Sequence, residues 1–349
     1  MLPAEVMSKW RDIASASPIA GSDISFMEIG HRTEAFQQIV TQLTNNFRQL
    51  LNVPSGYHIL LLPGGGRMQF ATVAMNLMGR HAGGADYFHT GLWSSFAMAE
   101  AEKFGAVHCV ASAGDSHFTR MPDPTTWQLR SEAAYCHFVS NETAHGLSFP
   151  KISEGFPSHY DVPLAVDMTS DLLTRPIAIE NYGLVYAAAQ KNCGVTGFTV
   201  VIVRDDLIGY APKHTPSVLD YSNYLKDPTP VTPVTFAIYL ATEITDWIIS
   251  KGGLTAMETL NIRKASKLYA YIDASEKYMA PVDKAYRSTT NVVFTLRDET
   301  QTARFLKMSE EEGLIGLAGH RAVGGVRASL YNAMPEEGVD ALIDFMQSF

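Results

Sequence analysis

Short runs of consecutive apolar residues alternate with helical spacings through the first two-thirds of the chain. YHILLL (57–62), ADYFHT (85–90), AVHCVA (106–111), AAYCHFV (133–139), PLAVDM (163–168), GLVYAAA (183–189) and FTVVIV (198–203) are the strand-like runs. Several are apolar at successive positions, the pattern of strands covered on both faces by helices. MQFATVAMNLMG (68–79) and SSFAMAEAEKFG (94–105) repeat at helical spacing between them. This succession predicts an α/β domain around a mostly parallel sheet.

The pattern changes near residue 230, where TPVTPVTF forms a Pro/Thr-rich connector. Two long helical stretches follow, and the tail alternates NVVFTL, a helix through FLKMSEEEG, RASLYNAM and a last helix from Glu336. A large domain over 1–240 and a smaller α/β domain over 241–349 are expected, and 349 residues exceed what one core usually organises.

Composition narrows the class. A formal charge of −9 argues against a nucleic-acid partner, which needs a basic face. Cys109, Cys136 and Cys193 are far apart and form no CxxC pair, so reduced thiols in a cytoplasmic protein are expected, with no metal site. The first residues lack the apolar core of a signal peptide, and FAIYLATEITDWII is too short and interrupted to span a membrane.

Chemistry gathers at a few places. LLLPGGGRMQF (60–70) is a strand, a glycine turn and a helix start, which offers free N–H groups to an anion beside Arg67 or is simply a tight connection. Asp167 ends one apolar run and Lys191 follows the next, in YAAAQKNCGV (186–195). On neighbouring parallel strands both would emerge at the carboxyl edge, where α/β sheets bind ligands. A desolvated lysine can form a Schiff base, and a carboxylate can keep a pyridinium nitrogen protonated. A phosphate turn, an Asp and a Lys are together the contacts that pyridoxal 5′-phosphate requires. Trp93 in GLWSSF can cover a planar ring or be core, and Thr143 in SNETAHG can bond a ring oxygen or cap a turn. GHRAVGGVR (319–327) and IGHRTEAF (29–36) concentrate His320, Arg321, Arg327, His31 and Arg32, a local cationic excess that suits a dianionic substrate or is plain solvated surface.

PGGGRMQF, GLW, NET, VDMTS, AQKN and above all GHRAVGGVRASLYNAM resemble the phosphoserine aminotransferase family, end to end from MLPAEV to the last helix. The resemblance implies a fold-type-I, class-V pyridoxal-phosphate enzyme, working as a homodimer with active sites shared between subunits. Lys191 would hold the cofactor covalently, Asp167 would pair with its ring nitrogen, Trp93 would stack on the ring and Thr143 would bond its 3′-oxygen. Gly66, Arg67 and Gln190 would hold the phosphate, with Thr232 reaching across from the other subunit. Arg327 would take the substrate α-carboxylate. His320 and Arg321, joined by His31 and Arg32 from the partner chain, would grip the distal phosphate or γ-carboxylate. The implied reaction exchanges an amino group between glutamate and 3-phosphooxypyruvate in serine biosynthesis, with the analogous phosphorylated oxo acid of pyridoxine biosynthesis as a second substrate. An alanine–glyoxylate aminotransferase-like enzyme and a non-catalytic cofactor-binding protein are the alternatives.

Two positions depart from the family pattern. A strand with a GPA-type motif usually precedes MLPAEV and lines the substrate site, and here the sequence begins within that stretch, so cofactor binding is expected to outlast turnover. Val231 stands where the family often has asparagine, which removes or replaces one phosphate hydrogen bond.

Overall fold

The continuous apolar runs assemble into one sheet in the computed structural model, which describes residues 2–13, 23–150, 155–158 and 160–349. Its strands are β1 (Tyr57–Pro63), β2 (Ala85–His89), β3 (Val107–Ser112), β4 (Cys136–Val139), then, after a separate hairpin of β5 (Asn141–Glu142) and β6 (Leu147–Ser148), β7 (Leu164–Asp167), β8 (Leu184–Ala188) and β9 (Phe198–Arg204). The seven-stranded order is β1-β9-β8-β7-β4-β2-β3. Neighbours from β8 to β3 run parallel, whereas β9 is antiparallel to both β1 and β8.

Burial on both faces explains the apolar runs. Along β9, Val200 and Ile202 enter one core while Val201 and Val203 enter the other. The first core is closed by α2 (Glu34–Leu51), with α1 (Ala4–Ile13) at its margin, and the second by α3 (Gly66–Leu77) and α4 (Leu92–Ala101). The observed α3 and α4 begin two residues before the predicted starts at 68 and 94. In each case a glycine, Gly65 or Gly91, supplies the N-cap position, which side-chain periodicity does not register.

Beyond the short helix α5 (Tyr221–Tyr224), α6 (Thr235–Ser250) packs on α2, and the expected boundary at 240/241 lies within it. The 22-residue α7 (Gly253–Ala274) starts in the first core with Leu254 and Met257 and ends in another with Ala265, Leu268 and Ile272. That second unit is the antiparallel sheet of β10 (Tyr278–Met279), β11 (Asn291–Leu296) and β12 (Val326–Ser329), covered by α7, α8 (Thr302–Glu311) and α9 (Glu336–Ser348). Among the described residues no helix is long and apolar enough to cross a membrane.

Candidate active site

Asp167 is the last residue of β7, and Lys191 lies three residues beyond the end of β8, its parallel neighbour. The carboxyl edge therefore brings the two together, as the spacing of the apolar runs implies. β1 points the same way as β8, because both oppose β9, so its glycine turn reaches the same edge. Gly64 has φ +91°, and a Cβ there would lie 2.6 Å from the Met68 sulfur, so only glycine makes this turn without strain.

These elements enclose a cavity of about 390 Å³ lined by Gly66, Arg67, Trp93, Thr143, Asp167, Gln190 and Lys191, among others. Every large-domain contact expected of a bound cofactor except Thr232 is thus on one wall or another. The Lys191 ammonium donates to the Thr143 hydroxyl at 2.5 Å and lies 6.0 Å from the Trp93 ring centre. Burial lowers the Lys191 pKa and Arg327 adds to this, whereas Tyr331 and Asp167 oppose it. Burial raises the Asp167 carboxyl, against hydrogen bonds from Thr169 and the charge of Lys191. Its Oδ1 accepts the Thr169 N–H at 2.8 Å, which holds the carboxylate in place at the strand end.

The donor set fits pyridoxal 5′-phosphate. Helix α3 has Gly65 at its N-cap position and no side-chain cap, so the positive end of its dipole is open to an anion. Among the described residues no carboxylate pairs with Arg67, whose guanidinium lies 4.3 Å over the Phe96 ring. The buried Trp93 Nε1 has no partner among the described residues either. A buried carboxylate, a desolvated lysine and an uncapped helix start converge on one cavity of suitable size.

β12 carries Arg327, which is outside the cavity lining but within electrostatic reach of Lys191 and whose buried Nε has no partner among the described residues. His320 stands edge-on to Trp93, ring centres 5.9 Å apart. Burial lowers the His320 pKa, and the charges of Arg327 and Arg321 lower it further, which places all three in one electrostatic neighbourhood. His31, Arg32 and Thr232 are not in the cavity. Arg32 and Thr232 are exposed, and Gln37 Nε2 donates both to the His31 carbonyl at 2.8 Å and to Thr229 at 3.5 Å, so the two segments adjoin. Val231 turns its side chain toward the second core instead of offering a polar group.

Some contributors were not singled out from the sequence. Glu142, fully buried, accepts the N–H groups of Trp93 (3.0 Å) and Ser94 (2.8 Å) and so fixes the start of α4. A capping carboxylate nearly fifty positions away in sequence has no local pattern. Thr169 and Asn141 also line the cavity, and each sits inside a motif, VDMTS or NET, that was recognised for a different residue.

Comparison with known proteins finds relatives along the full length of the chain. The family model for aminotransferase class-V matches residues 1–342. The phosphoserine aminotransferase of Hahella chejuensis is 45% identical over 349 residues, all of this chain and 95% of that protein. The structure of phosphoserine aminotransferase from Bacillus circulans subsp. alkalophilus superposes with a TM-score of 0.94 at 40% identity, covering 100% of this chain and 95% of that one. The pyridoxal-phosphate-bound phosphoserine aminotransferase from Trichomonas vaginalis does so with a TM-score of 0.92 at 35% identity, covering 99% and 97%.

Proposed function

The chain belongs to the aminotransferase class-V family, and from that premise we propose that it transfers the amino group of L-glutamate to 3-phosphooxypyruvate, giving 2-oxoglutarate and O-phospho-L-serine. The observation that carries the substrate class is the cluster of Arg321 and Arg327 about His320, whose ring meets Trp93 of the cavity wall edge-on, with no ion pair to either arginine among the described residues. An amino acid with two anionic ends matches such a cluster, whereas a small uncharged side chain leaves half of it unused.

Pyridoxal 5′-phosphate, when bound, supplies a carbonyl that accepts the amino group and a protonated ring that takes up the electron pair released at the substrate α-carbon. Lys191 would hold its carbonyl carbon, Asp167 its ring nitrogen, Thr143 its 3′-oxygen, and Gly66, Arg67 and Gln190 its phosphate, with Trp93 against the ring. Lowered basicity keeps part of the Lys191 population neutral and nucleophilic, and its Nζ is the base that removes and returns the proton at the substrate α-carbon. Burial holds the Asp167 carboxyl above its ordinary range, against the Thr169 N–H that its Oδ1 accepts and the charge of Lys191, so a cationic ring nitrogen is the partner it lacks. Arg327 holds the α-carboxylate and so presents the α-carbon to Lys191. His320 and Arg321 take the far anion, phosphate or γ-carboxylate, which lets two substrates share one site in alternation.

A homodimer completes the site. His31, Arg32 and Thr232 lie off the cavity and on adjoining segments, where Met27 and Val234 also expose apolar side chains. A second copy docked there would receive them. Three free cysteines fit a cytoplasmic enzyme.

Steady-state turnover with glutamate and 3-phosphooxypyruvate tests the reading. The expected kcat/KM exceeds that for unphosphorylated hydroxypyruvate by at least about 100-fold, the worth of two or more charge-assisted hydrogen bonds. Equal use of both oxo acids would remove the distal-anion role of His320 and Arg321.

A further inference from the structure

Lys191 and Arg327 stand in different units of the fold, yet they must act on neighbouring atoms of one substrate. Lys191 follows β8 of the large sheet, and Arg327 lies on β12 of the small one. Whatever sets the spacing of these two units therefore sets the geometry of proton transfer.

That spacing is held by buried asparagines. Asn332, 4% exposed and just beyond β12, uses its backbone N–H and both ends of its side-chain amide. Its backbone N–H donates to Asn192 Oδ1 at 3.1 Å, its Nδ2 donates to the Leu173 carbonyl at 2.8 Å, and its Oδ1 accepts from Asn261 Nδ2 at 2.8 Å. Asn192, the residue after Lys191, is itself 5% exposed and donates from Nδ2 to the Ser170 carbonyl at 3.2 Å. Asn261 of α7 also donates to the Thr174 carbonyl at 3.2 Å. The loop that follows Asp167, the loop that carries Lys191 and the chain that leaves Arg327 thus converge on two side chains. The turn is backed from the far side by Lys264, fully buried, whose Nζ donates to the carbonyls of Tyr331 (2.8 Å) and Met334 (3.0 Å).

We propose that Asn192 and Asn332 are positioning residues for the amino transfer, a latch that fixes Arg327 relative to Lys191. The inference rests on the assignment of Arg327 to the α-carboxylate. Directional hydrogen bonds specify a register that apolar packing leaves free to slide, and a misplacement of about 1 Å between reacting groups costs on the order of 100-fold in rate. The cofactor contacts of this chain lie in the large unit, so the latch acts on substrate geometry and leaves cofactor affinity alone.

The test uses pyridoxal-phosphate-loaded protein carrying Asn192→Ala, which removes the acceptor beside Lys191 from the bonds that join the two units. Asn332→Ser is the second variant, trimming the side-chain bonds to Leu173 and Asn261 while sparing the backbone N–H. Three quantities are read, the affinity for pyridoxal phosphate, the affinity for maleate (an unreactive dicarboxylate) from its perturbation of the visible band, and kcat/KM for glutamate. The latch predicts cofactor affinity within about 2-fold of wild type, maleate binding weakened about 10-fold, and kcat/KM lowered about 10- to 100-fold. Wild-type maleate binding and kcat/KM in both variants overturn it. Cofactor affinity that falls in step with activity overturns it too, because the asparagines then support only the lysine loop. Arg327→Ala, measured alongside, separates the two claims. Unchanged maleate binding in that variant refutes the carboxylate assignment and the latch with it, whereas weakened binding there beside an unaffected Asn192→Ala refutes the latch alone.

Discussion

At the scale of single residues, the site depends on two groups whose burial works against their charge. Lys191 is the clearer case. Its folded pKa is lowered, so the neutral amine appears at a lower pH than for a free lysine. The rate at which cofactor-free protein captures pyridoxal phosphate should therefore rise with pH and level off at a midpoint below the ordinary 10.5. A midpoint at or above that value contradicts the desolvated environment, and a visible band that persists in Lys191→Ala contradicts the assignment itself. Asp167→Asn keeps the shape and removes the charge. It should retain bound cofactor yet lose about 100-fold or more in kcat, as measured in single turnovers, because the ring then has no anion to hold its proton. Their juxtaposition was legible in the sequence because Asp167 ends one apolar run and Lys191 follows the next, on neighbouring parallel strands. Glu142 was not, since its task is to accept two N–H groups from a helix reached only through the fold. Asn192 and Asn332 lie inside AQKN and SLYNAM, but the bond between them exists only once two units meet.

At the scale of elements, strand positions followed from apolar runs, and all seven strands of the large sheet fall at the expected places. The direction of β9 did not follow, because a run such as FTVVIV is buried on both faces whichever way it points. Helix starts were displaced for a related reason, since a glycine cap carries no periodic signal. The start of α4 illustrates what such a cap requires. Its first N–H groups are satisfied by Glu142, and burial raises that carboxyl while those same bonds lower it. Glu142→Ala leaves two buried donors unpaired and opens space beneath Trp93. The expected cost is about 1–3 kcal/mol of stability in urea unfolding, with a shift in the visible band of bound cofactor as Trp93 moves. Glu142→Gln keeps an acceptor and should recover most of both. A full loss in the Gln variant would mean that charge, and not hydrogen bonding, sets this helix start.

At the scale of the whole molecule, two consequences are measurable. The first concerns Lys264, whose pKa burial pushes down to about 8. In the unfolded chain it holds its proton to about 10.5. Between those values the folded state binds fewer protons, so this group's contribution to stability increases as pH rises, by at most about 1.4 kcal/mol per pH unit. Wild type compared with Lys264→Met in denaturant at pH 7.5 and 9.5 should therefore shift in favour of wild type at the higher pH. A constant difference contradicts the buried charge. The second concerns the proposed sharing of the site between two subunits. Lys191→Ala and Arg32→Ala are each expected to be inactive alone, yet after mixing and subunit exchange about a quarter of wild-type activity should return. Half of random dimers are mixed, and each of those holds one undamaged site. No recovery would place Arg32 in its own subunit's site, and an active Arg32→Ala would place it outside any site.

The central claim is that one cavity holds pyridoxal phosphate and receives a substrate with two anionic ends. The absorbance spectrum of the cofactor-loaded protein, taken before and after adding O-phosphoserine, tests it most directly. The visible band should bleach to the amine form of the cofactor, and serine at the same concentration should have far less effect. A band that ignores phosphoserine and glutamate, or that responds equally to serine, would contradict it.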